Sequence, residues 1–176
     1  MIDEQQIMAA QSDVNETYDY LAGAVQEVTK DIVAPLDKIV KELSKGINLF
    51  SNADLWDFQL RLGVEAYILG NIKEQSSLKQ ACAEALYKEG LAKSYSTTAG
   101  AVEAKKQQSV LDTLDKQAVT MLWTTVSNLL KTKCDEAHRL VNIIQGIQIS
   151  RAAEAKQQGP RSEVDRMNLT TENMEG

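Results

Sequence analysis

The chain has 176 residues, of which 43% are apolar and only 5% aromatic, and its formal net charge is −6. This length is typical of one domain. Two prolines and nine glycines are too few turn breakers for an all-β chain. The acidic balance argues against a general phosphate-backbone binder, which needs a basic face. No run reaches the ~18 apolar residues of a membrane span, and the start MIDEQQIMAA is not a secretory signal. We therefore expect an all-α protein of the cytoplasm.

Residues 1–50 form the first predicted unit, an amphipathic helix from Ser12 to Leu49 after a frayed start. Ser12 or Asp13 is a suitable cap. Pro35 interrupts the pattern, because a proline inside a helix removes a hydrogen bond at a cost of about 3 kcal/mol. The unit is therefore either one kinked helix or two helices that meet just before the proline. Its apolar residues recur at helical steps of three, four or seven: Leu21, Val25, Val28, Ile32, Leu36, Ile39 or Val40, Leu43 and Ile47.

The same unit carries most of the net negative charge. Residues 1–53 contain nine acidic residues and four lysines, a balance of −5. Such a helix face is either simply solvated or offered to a basic protein partner. The second interpretation gives a first set of candidate partner-binding residues: Asp13, Glu16, Asp19, Glu27 and Asp31.

Residues 51–158 form the second predicted unit, a long antiparallel helical hairpin. Its first arm runs from Asp54 to Tyr95 and begins with the capping sequence Ser51-Asn52-Ala53-Asp54. Trp56 lies off the apolar face of this arm, so it either packs on the first unit or contacts another subunit. That face combines apolar residues at steps of three and four: Leu55, Phe58, Leu62, Ala66 and Leu69.

Gly63 and Gly70 lie seven residues apart and therefore on the same side of the first arm. Each costs up to about 1 kcal/mol relative to alanine inside a helix. Two explanations remain open. Either another helix approaches closely at both positions, or Gly70 ends one helix and Asn71 caps the next.

The second arm is predicted from Val110 to Lys156, starting near Ser109 or Asp112. The run of hydroxyl residues and glycine at 94–100 forms the tip between the arms. Lys105 and Lys106 follow the tip, and they are candidate contacts for phosphate or a partner; a mobile, solvated loop is the alternative. The apolar stripe of the second arm has only one polar member: Leu111, Leu114, Ala118, Leu122, Val126, Leu129, Lys133, Ala137, Leu140, Ile144 and Ile147.

The length of the hairpin indicates self-association. As one helix, Asp54–Tyr95 spans about 60 Å, whereas a compact domain of this size has a diameter of about 40 Å. Such an arm must bury its remaining apolar edge on the first unit, on another copy or on a foreign protein. We therefore expect a homo-oligomer formed by helix packing, by default a dimer.

No residue constellation indicates catalysis, a metal or a cofactor. His138 is the only histidine, and Cys134 precedes it by one helical turn, but no fourth ligand is indicated. The motifs GxGxxG, HExxH and GxxxxGK[ST] are missing from the sequence. Cys82 and Cys134 are expected to pack as small buried thiols without forming a disulfide. The sequence therefore predicts a protein that is not an enzyme.

Two helical stretches are separated by a break that contains glycine: LWDFQLRLGVEAYILGNIKEQSSLKQACAEALYKEG and LLKTKCDEAHRLVNII. Together they resemble the small helical accessory proteins of phages and prophages. That group includes inhibitors of the anti-CRISPR type. The resemblance implies a protein that binds and modulates or inhibits a host protein, such as a nucleic-acid-targeting defence nuclease. The composition argues against direct binding of nucleic acid or membrane by this chain. The alternative it implies is an accessory protein for phage DNA packaging, recombination or assembly. Residues 159–176 are predicted to be a disordered tail.

Overall fold

The structure is a computed structural model that describes the backbone of residues 4–172 and the side chains of residues 15–157. Within that part it contains helices and no strand, which confirms the all-α prediction. None of these helices is both long and apolar enough to cross a membrane. The elements in chain order are α1 (Glu4–Leu43), a 3₁₀ turn (Ile47–Leu49), α2 (Asn52–Thr97), α3 (Val102–Leu111) and α4 (Leu114–Glu172).

The first helix differs from its prediction at both ends. It begins at Glu4, so the predicted start at Ser12 or Asp13 is wrong, and it ends at Leu43 instead of Leu49. It is one helix that contains Pro35, and the alternative of two separate helices is also wrong. A kink at Pro35 stays a prediction. Gly46, with a φ of 126°, turns the chain into the 3₁₀ segment, because only glycine adopts that backbone conformation without strain.

The second helix begins at the predicted cap. The Ser51 hydroxyl accepts a hydrogen bond from the Asp54 amide at 3.2 Å, and the Asp54 carboxylate accepts one from the Ser51 amide at 2.9 Å. These two bonds satisfy backbone donors that a helix start otherwise leaves unpaired. The Ser51 hydroxyl also donates to the Asp54 carboxylate at 2.7 Å, and this bond and the one from the Ser51 amide hold the pKa of Asp54 below its ordinary value. The helix then continues through Gly70 without a break, so its 46 residues extend over about 69 Å.

Contacts between α2 and α4 confirm the antiparallel hairpin. The Cys134 thiol donates to the Ala66 carbonyl at 3.5 Å, and further along α2 the hydroxyls of Ser77 and Ser127 lie 3.0 Å apart. Residue numbers therefore rise along α2 while they fall along α4. The Nζ of Lys79 lies 4.3 Å from the centroid of the Trp123 ring and covers the same interface.

The α2 side of this interface follows a seven-residue repeat, which is the spacing of a coiled coil. The side chains at the repeat positions become smaller toward the tip, so apolar burial is concentrated at the opposite end of the hairpin. All six positions are buried: Leu55, Leu62, Leu69, Ser76, Ala83 and Gly90.

The end of α1 adds a third helix where the large side chains lie. Leu36, Ile39 and Leu43 are buried against the hairpin. Ion pairs join α1 to both arms: Asp37 to Lys133 at 2.8 Å, and Glu42 to Arg61 at 3.2 Å. The core is therefore a three-helix bundle at one end that thins to a two-helix hairpin toward the tip.

The second arm differs from its prediction at its start. Residues 102–111 form the separate helix α3, and a short turn at Asp112 and Thr113 precedes α4. Leu111 and Leu114 are 60% and 52% exposed, so the predicted stripe is wrong at this end. Leu130 is fully buried in place of the predicted Leu129. The sequence predicted that the helix stops at Gly159-Pro160, but α4 continues past these residues to Glu172.

The disordered tail and the boundaries between the units stay predictions. The side chains from residue 158 onward and the whole of residues 173–176 lie outside the described part of the chain, as do residues 1–3. The disordered tail predicted for 159–176 and the division at residue 50 therefore stay predictions.

Candidate functional site

Four predicted acidic residues lie together on the outward face of α1. A helix turns by about 100° per residue, which places Glu16, Asp19, Glu27 and Asp31 on the side opposite the buried Leu36. All four are exposed, and together they extend over about 22 Å of the helix. The side chain of the fifth candidate, Asp13, lies outside the described residues. We call Glu16, Asp19, Glu27 and Asp31 the acidic face.

The acidic face keeps most of its charge unpaired. Lys30 binds the Glu27 carboxylate at 2.8 Å, but an exposed pair of this kind is weak. Among the described residues, Glu16, Asp19 and Asp31 have no salt bridge. The face therefore presents a negative potential to solvent.

Trp56 lies on a different surface, on the side of α2 that neither α1 nor α4 covers. It is 63% exposed, so the interpretation that it packs on the first unit is wrong. Five neighbours on α2, one of them the polar Gln59, line an open groove of about 500 Å³ together with Trp56 and Val141 of α4. We call the apolar and aromatic members on α2 and the glycine between them the Trp56 stripe: Trp56, Leu60, Gly63, Val64 and Tyr67.

No contact within the chain explains the glycine of this stripe. A Cβ added at Gly63 would meet nothing within 4 Å, and the same holds for Gly70. The predicted close approach of another helix is therefore absent from both positions within the described part of the chain. Gly90 is where the arms do approach, because a Cβ there would lie 3.0 Å from Thr113 Cγ2. The helix-interior cost of Gly63, up to about 1 kcal/mol, needs an explanation outside the single chain.

The two tip lysines belong to α3 and do not form a basic site. The Nζ of Lys105 lies 5.9 Å from the Tyr95 ring centroid. Lys106 shares its surface with Glu103 and with the apolar Val110. The mixed charge of this surface gives no basis for phosphate binding.

Hydrogen bonds join the helices at the base of the tip. The Asp112 carboxylate accepts hydrogen bonds from the Ser94 hydroxyl and the Gln108 amide. These bonds hold the pKa of Asp112 below its ordinary value. They tie the end of α2 to the turn between α3 and α4.

The thiol and imidazole of the second arm do not form an activated pair. Cys134 Sγ lies 3.8 Å from His138 Nδ1, but its thiol donates to the Ala66 carbonyl. Burial raises the pKa of Cys134, which opposes formation of the nucleophilic thiolate. Cys82 is exposed, so its predicted burial is wrong, and both thiols are free. Over the described residues, no cluster of three or more His, Cys, Asp or Glu side chains is placed to hold a metal ion.

Arg151 has a structural role that the sequence did not reveal. Its guanidinium donates to the Phe50 carbonyl at 2.9 Å, the Asn52 side-chain oxygen at 3.1 Å and the Asn48 carbonyl at 3.3 Å. It therefore clamps the connection between α1 and α2 onto α4. The only sequence signal is that Arg151 follows Ile147 by one helical turn, on the face that packs inward.

A second groove, between α1 and α4, also escaped the sequence. It has a volume of about 480 Å³, and its apolar walls come from Tyr18, Val25, Met121 and Leu129. Its α1 wall belongs to the part of the helix that precedes the three-helix core. Here α1 covers α4 incompletely, which leaves Tyr18 69% exposed.

Comparison of the chain with protein-family models, with curated proteins and with solved structures finds no match. Function has therefore to be inferred from the surfaces of this chain. The acidic face of α1 and the Trp56 stripe of α2 are the two that combine a distinct chemistry with exposure.

Proposed function

We propose that this protein is a non-enzymatic helical interaction protein of phage type, which binds a basic surface of a host protein and thereby modulates or inhibits it. The observation that supports this proposal is the acidic face, in which four exposed carboxylates share one side of α1. Lys30 lies on that side and binds Glu27, and Lys38 and Lys41 follow on the same side beyond the four carboxylates. A rod with one charged side offers a long, narrow contact for a groove lined by lysine and arginine.

The class of partner follows from the charge spacing. The acidic face carries about one carboxylate per 6 Å, whereas one strand of DNA carries one charge per about 3.4 Å. The acidic face therefore resembles a phosphate backbone with a lower charge density. Proteins that handle nucleic acid have basic grooves for such a backbone. We propose that the partner belongs to this class, and that a defence nuclease inhibited in the anti-CRISPR manner is one such partner.

The position of the acidic face within α1 suits a binding arm. Residues 15–20 are exposed on every side of the helix, ahead of the three-helix core. Pro35 cannot donate a hydrogen bond to the Asp31 carbonyl one turn earlier. We propose that α1 kinks between these two residues, while its apolar side still lines the groove with Met121 and Leu129 of α4.

The test is a pair of variants with equal charge changes. The first reverses the acidic face with Glu16→Lys, Asp19→Lys, Glu27→Lys and Asp31→Lys. The second reverses four exposed acids elsewhere: Glu89→Lys, Glu103→Lys, Asp115→Lys and Glu154→Lys. Each changes the net charge by the same amount. Proteins captured from a bacterial lysate are then quantified by mass spectrometry at low and high salt.

We expect the wild type and the second variant to capture the same basic protein, and the first variant to lose it. High salt should weaken the capture, because exposed charges are screened. Equal capture by both variants would contradict the role of the acidic face. The captured protein is then assayed for its own activity with and without this chain, which separates an inhibitor from a mere ligand.

The alternative, an accessory protein for phage packaging, recombination or assembly, is favoured by a different observation. The Trp56 stripe is an exposed apolar surface suited to self-association. An assembly role predicts a closed ring and DNA binding at low salt. Light scattering and a DNA mobility shift distinguish it: a dimer without affinity for DNA would count against this alternative.

A further inference from the structure

We infer that two copies of this chain pack against each other, antiparallel, through the Trp56 stripe. The residues of the stripe are apolar or aromatic, and the polar Gln59 lines the same groove beside them. Arg61 binds Glu42 of α1 at 3.2 Å and Asp57 at 3.6 Å, which draws these charges to the α1 side of the helix. A partner helix on the stripe therefore meets apolar and aromatic side chains and Gln59, whereas the Arg61 ion pairs lie toward α1.

The order of residues along the stripe is self-complementary. Trp56 and Tyr67 lie at its ends, and Leu60 and Gly63 lie symmetrically between them. A two-fold axis midway between Leu60 and Gly63 therefore places Trp56 of one copy against Tyr67 of the second copy. It also places each Leu60 over the Gly63 of the other copy. Contacts in a two-fold interface are reciprocal in this way, and aromatic side chains favour such pairing.

The open space at Gly63 is the second observation that supports this interface. Apart from its chain neighbours and the adjoining backbone of its own helix, no atom of the described residues lies within 4 Å of the position that a Cβ would occupy there. The missing side chain leaves a depression between Leu60 and Tyr67 on an otherwise bulky surface. A leucine from a facing helix fits such a depression, as a knob fits a hole in packed helices.

The area of the stripe agrees with a second copy as its occupant. Its four large side chains are between 50% and 72% exposed. At about 200 Å² for a large side chain, they expose on the order of 500 Å² in each copy. Two copies would bury on the order of 1,000 Å² in total, which is the lower limit for a specific interface. We therefore expect a monomer and a dimer that exchange at micromolar concentration.

The first test is sedimentation of the full chain at about 1 and about 100 µM, which brackets a weak interface. We expect the wild type to shift toward dimer with concentration. Leu60→Glu should raise the dissociation constant at least about tenfold. Leu86→Glu, at a leucine of α2 outside the stripe that is 58% exposed against 69% for Leu60, should leave it unchanged. A wild type that stays monomeric, or a Leu60→Glu chain that still dimerises, would overturn the inference.

The second test fixes the orientation and does not depend on a charge in the stripe. Trp56→Cys and Tyr67→Cys are made separately in a chain with Cys82→Ser and Cys134→Ser, and oxidised alone or mixed. In an antiparallel pair the two Trp56 positions lie about 16 Å apart along the helices, beyond the reach of a disulfide. We expect crosslinks only in the mixture. Crosslinks within either variant alone, or none in the mixture, would overturn the antiparallel arrangement.

This inference is independent of the acidic face. A dimer that forms normally in the acidic-face variant, which no longer captures its partner, separates the two proposals. Circular dichroism melts of each variant show that the helices have formed before association is measured.

Discussion

Replacing Arg151 with alanine should loosen the connection between α1 and α2. The guanidinium makes three hydrogen bonds to this connection, two of them to the backbone carbonyls of Phe50 and Asn48. Alanine keeps the helix intact, because it has the highest helix propensity of any residue. The loss is therefore confined to the clamp between α4 and the residues that precede α2.

The magnitude follows from the exposure of each bond. The bond to Phe50 is partly buried, and a hydrogen bond from a charged donor contributes about 1.5–3 kcal/mol. The bonds to Asn48 and Asn52 are exposed, so water replaces them at little cost. We expect Arg151→Ala to lower the free energy of unfolding by about 2 kcal/mol. In a chain of this length that lowers Tm by about 4–8 °C.

Urea unfolding monitored by circular dichroism measures this loss of stability. Two matched variants serve as its controls. Arg139→Ala removes an exposed arginine from the same helix and should change the free energy of unfolding by less than about 0.5 kcal/mol. Arg151→Lys keeps the charge but not the planar fork, so it should fall between the two alanine variants. If Arg151→Ala and Arg139→Ala unfold at the same urea concentration, the clamp is not a source of stability.

Three further predictions concern the core, the ion pairs and the glycines. Leu62→Ala, at a fully buried position, should lower the free energy of unfolding by about 2–5 kcal/mol. Leu86→Ala, at an exposed position, should change it by less than about 0.5 kcal/mol. Similar losses for both variants in urea unfolding would contradict the burial of Leu62. The hydrogen bond to Asp37 raises the pKa of Lys133, so its stabilisation is complete below the unfolded-state pKa of about 10.4 and is lost as the pH rises through the higher folded-state pKa. The stability difference between wild type and Lys133→Met should therefore be constant up to about pH 10 and shrink above it, and a difference that grows with pH would contradict this sign. Gly63→Ala should stabilise the monomer by up to about 1 kcal/mol, because its Cβ meets open space. Gly90→Ala should not, because its Cβ would meet side chains at 2.8–3.1 Å. Equal stabilisation of both variants in thermal melts at low protein concentration would contradict this difference in the room available for a Cβ.

Local patterns in the sequence were sufficient for several features of the fold. The spacing of Leu55, Leu62 and Leu69 identified the buried side of α2, because a helix repeats its faces about every 3.6 residues. The Ser51–Asp54 pair identified the start of α2, because a capping box involves only residues three apart. Such features depend on neighbours along the chain, so the chain order alone contains them.

Features that depend on distant neighbours were not predictable in this way. The sequence allowed Trp56 to lie inside or outside, and only the position of α1 on the other side of α2 leaves it exposed. It also placed Leu129 in the core in place of Leu130. Adjacent residues differ by about 100° around the axis, so a small rotation of α4 against α2 decides which of them is buried.

The sequence by itself therefore determined the helical class, the two antiparallel arms and the acidic character of the first helix, because periodicity and composition are local properties. The tertiary structure decided three further points. Helix α2 continues through Gly70, the acidic residues face away from the core, and the Trp56 stripe remains uncovered by the chain's own helices. These points depend on which face of α1, α2 and α4 packs against the other helices. Helical periodicity does not specify that choice.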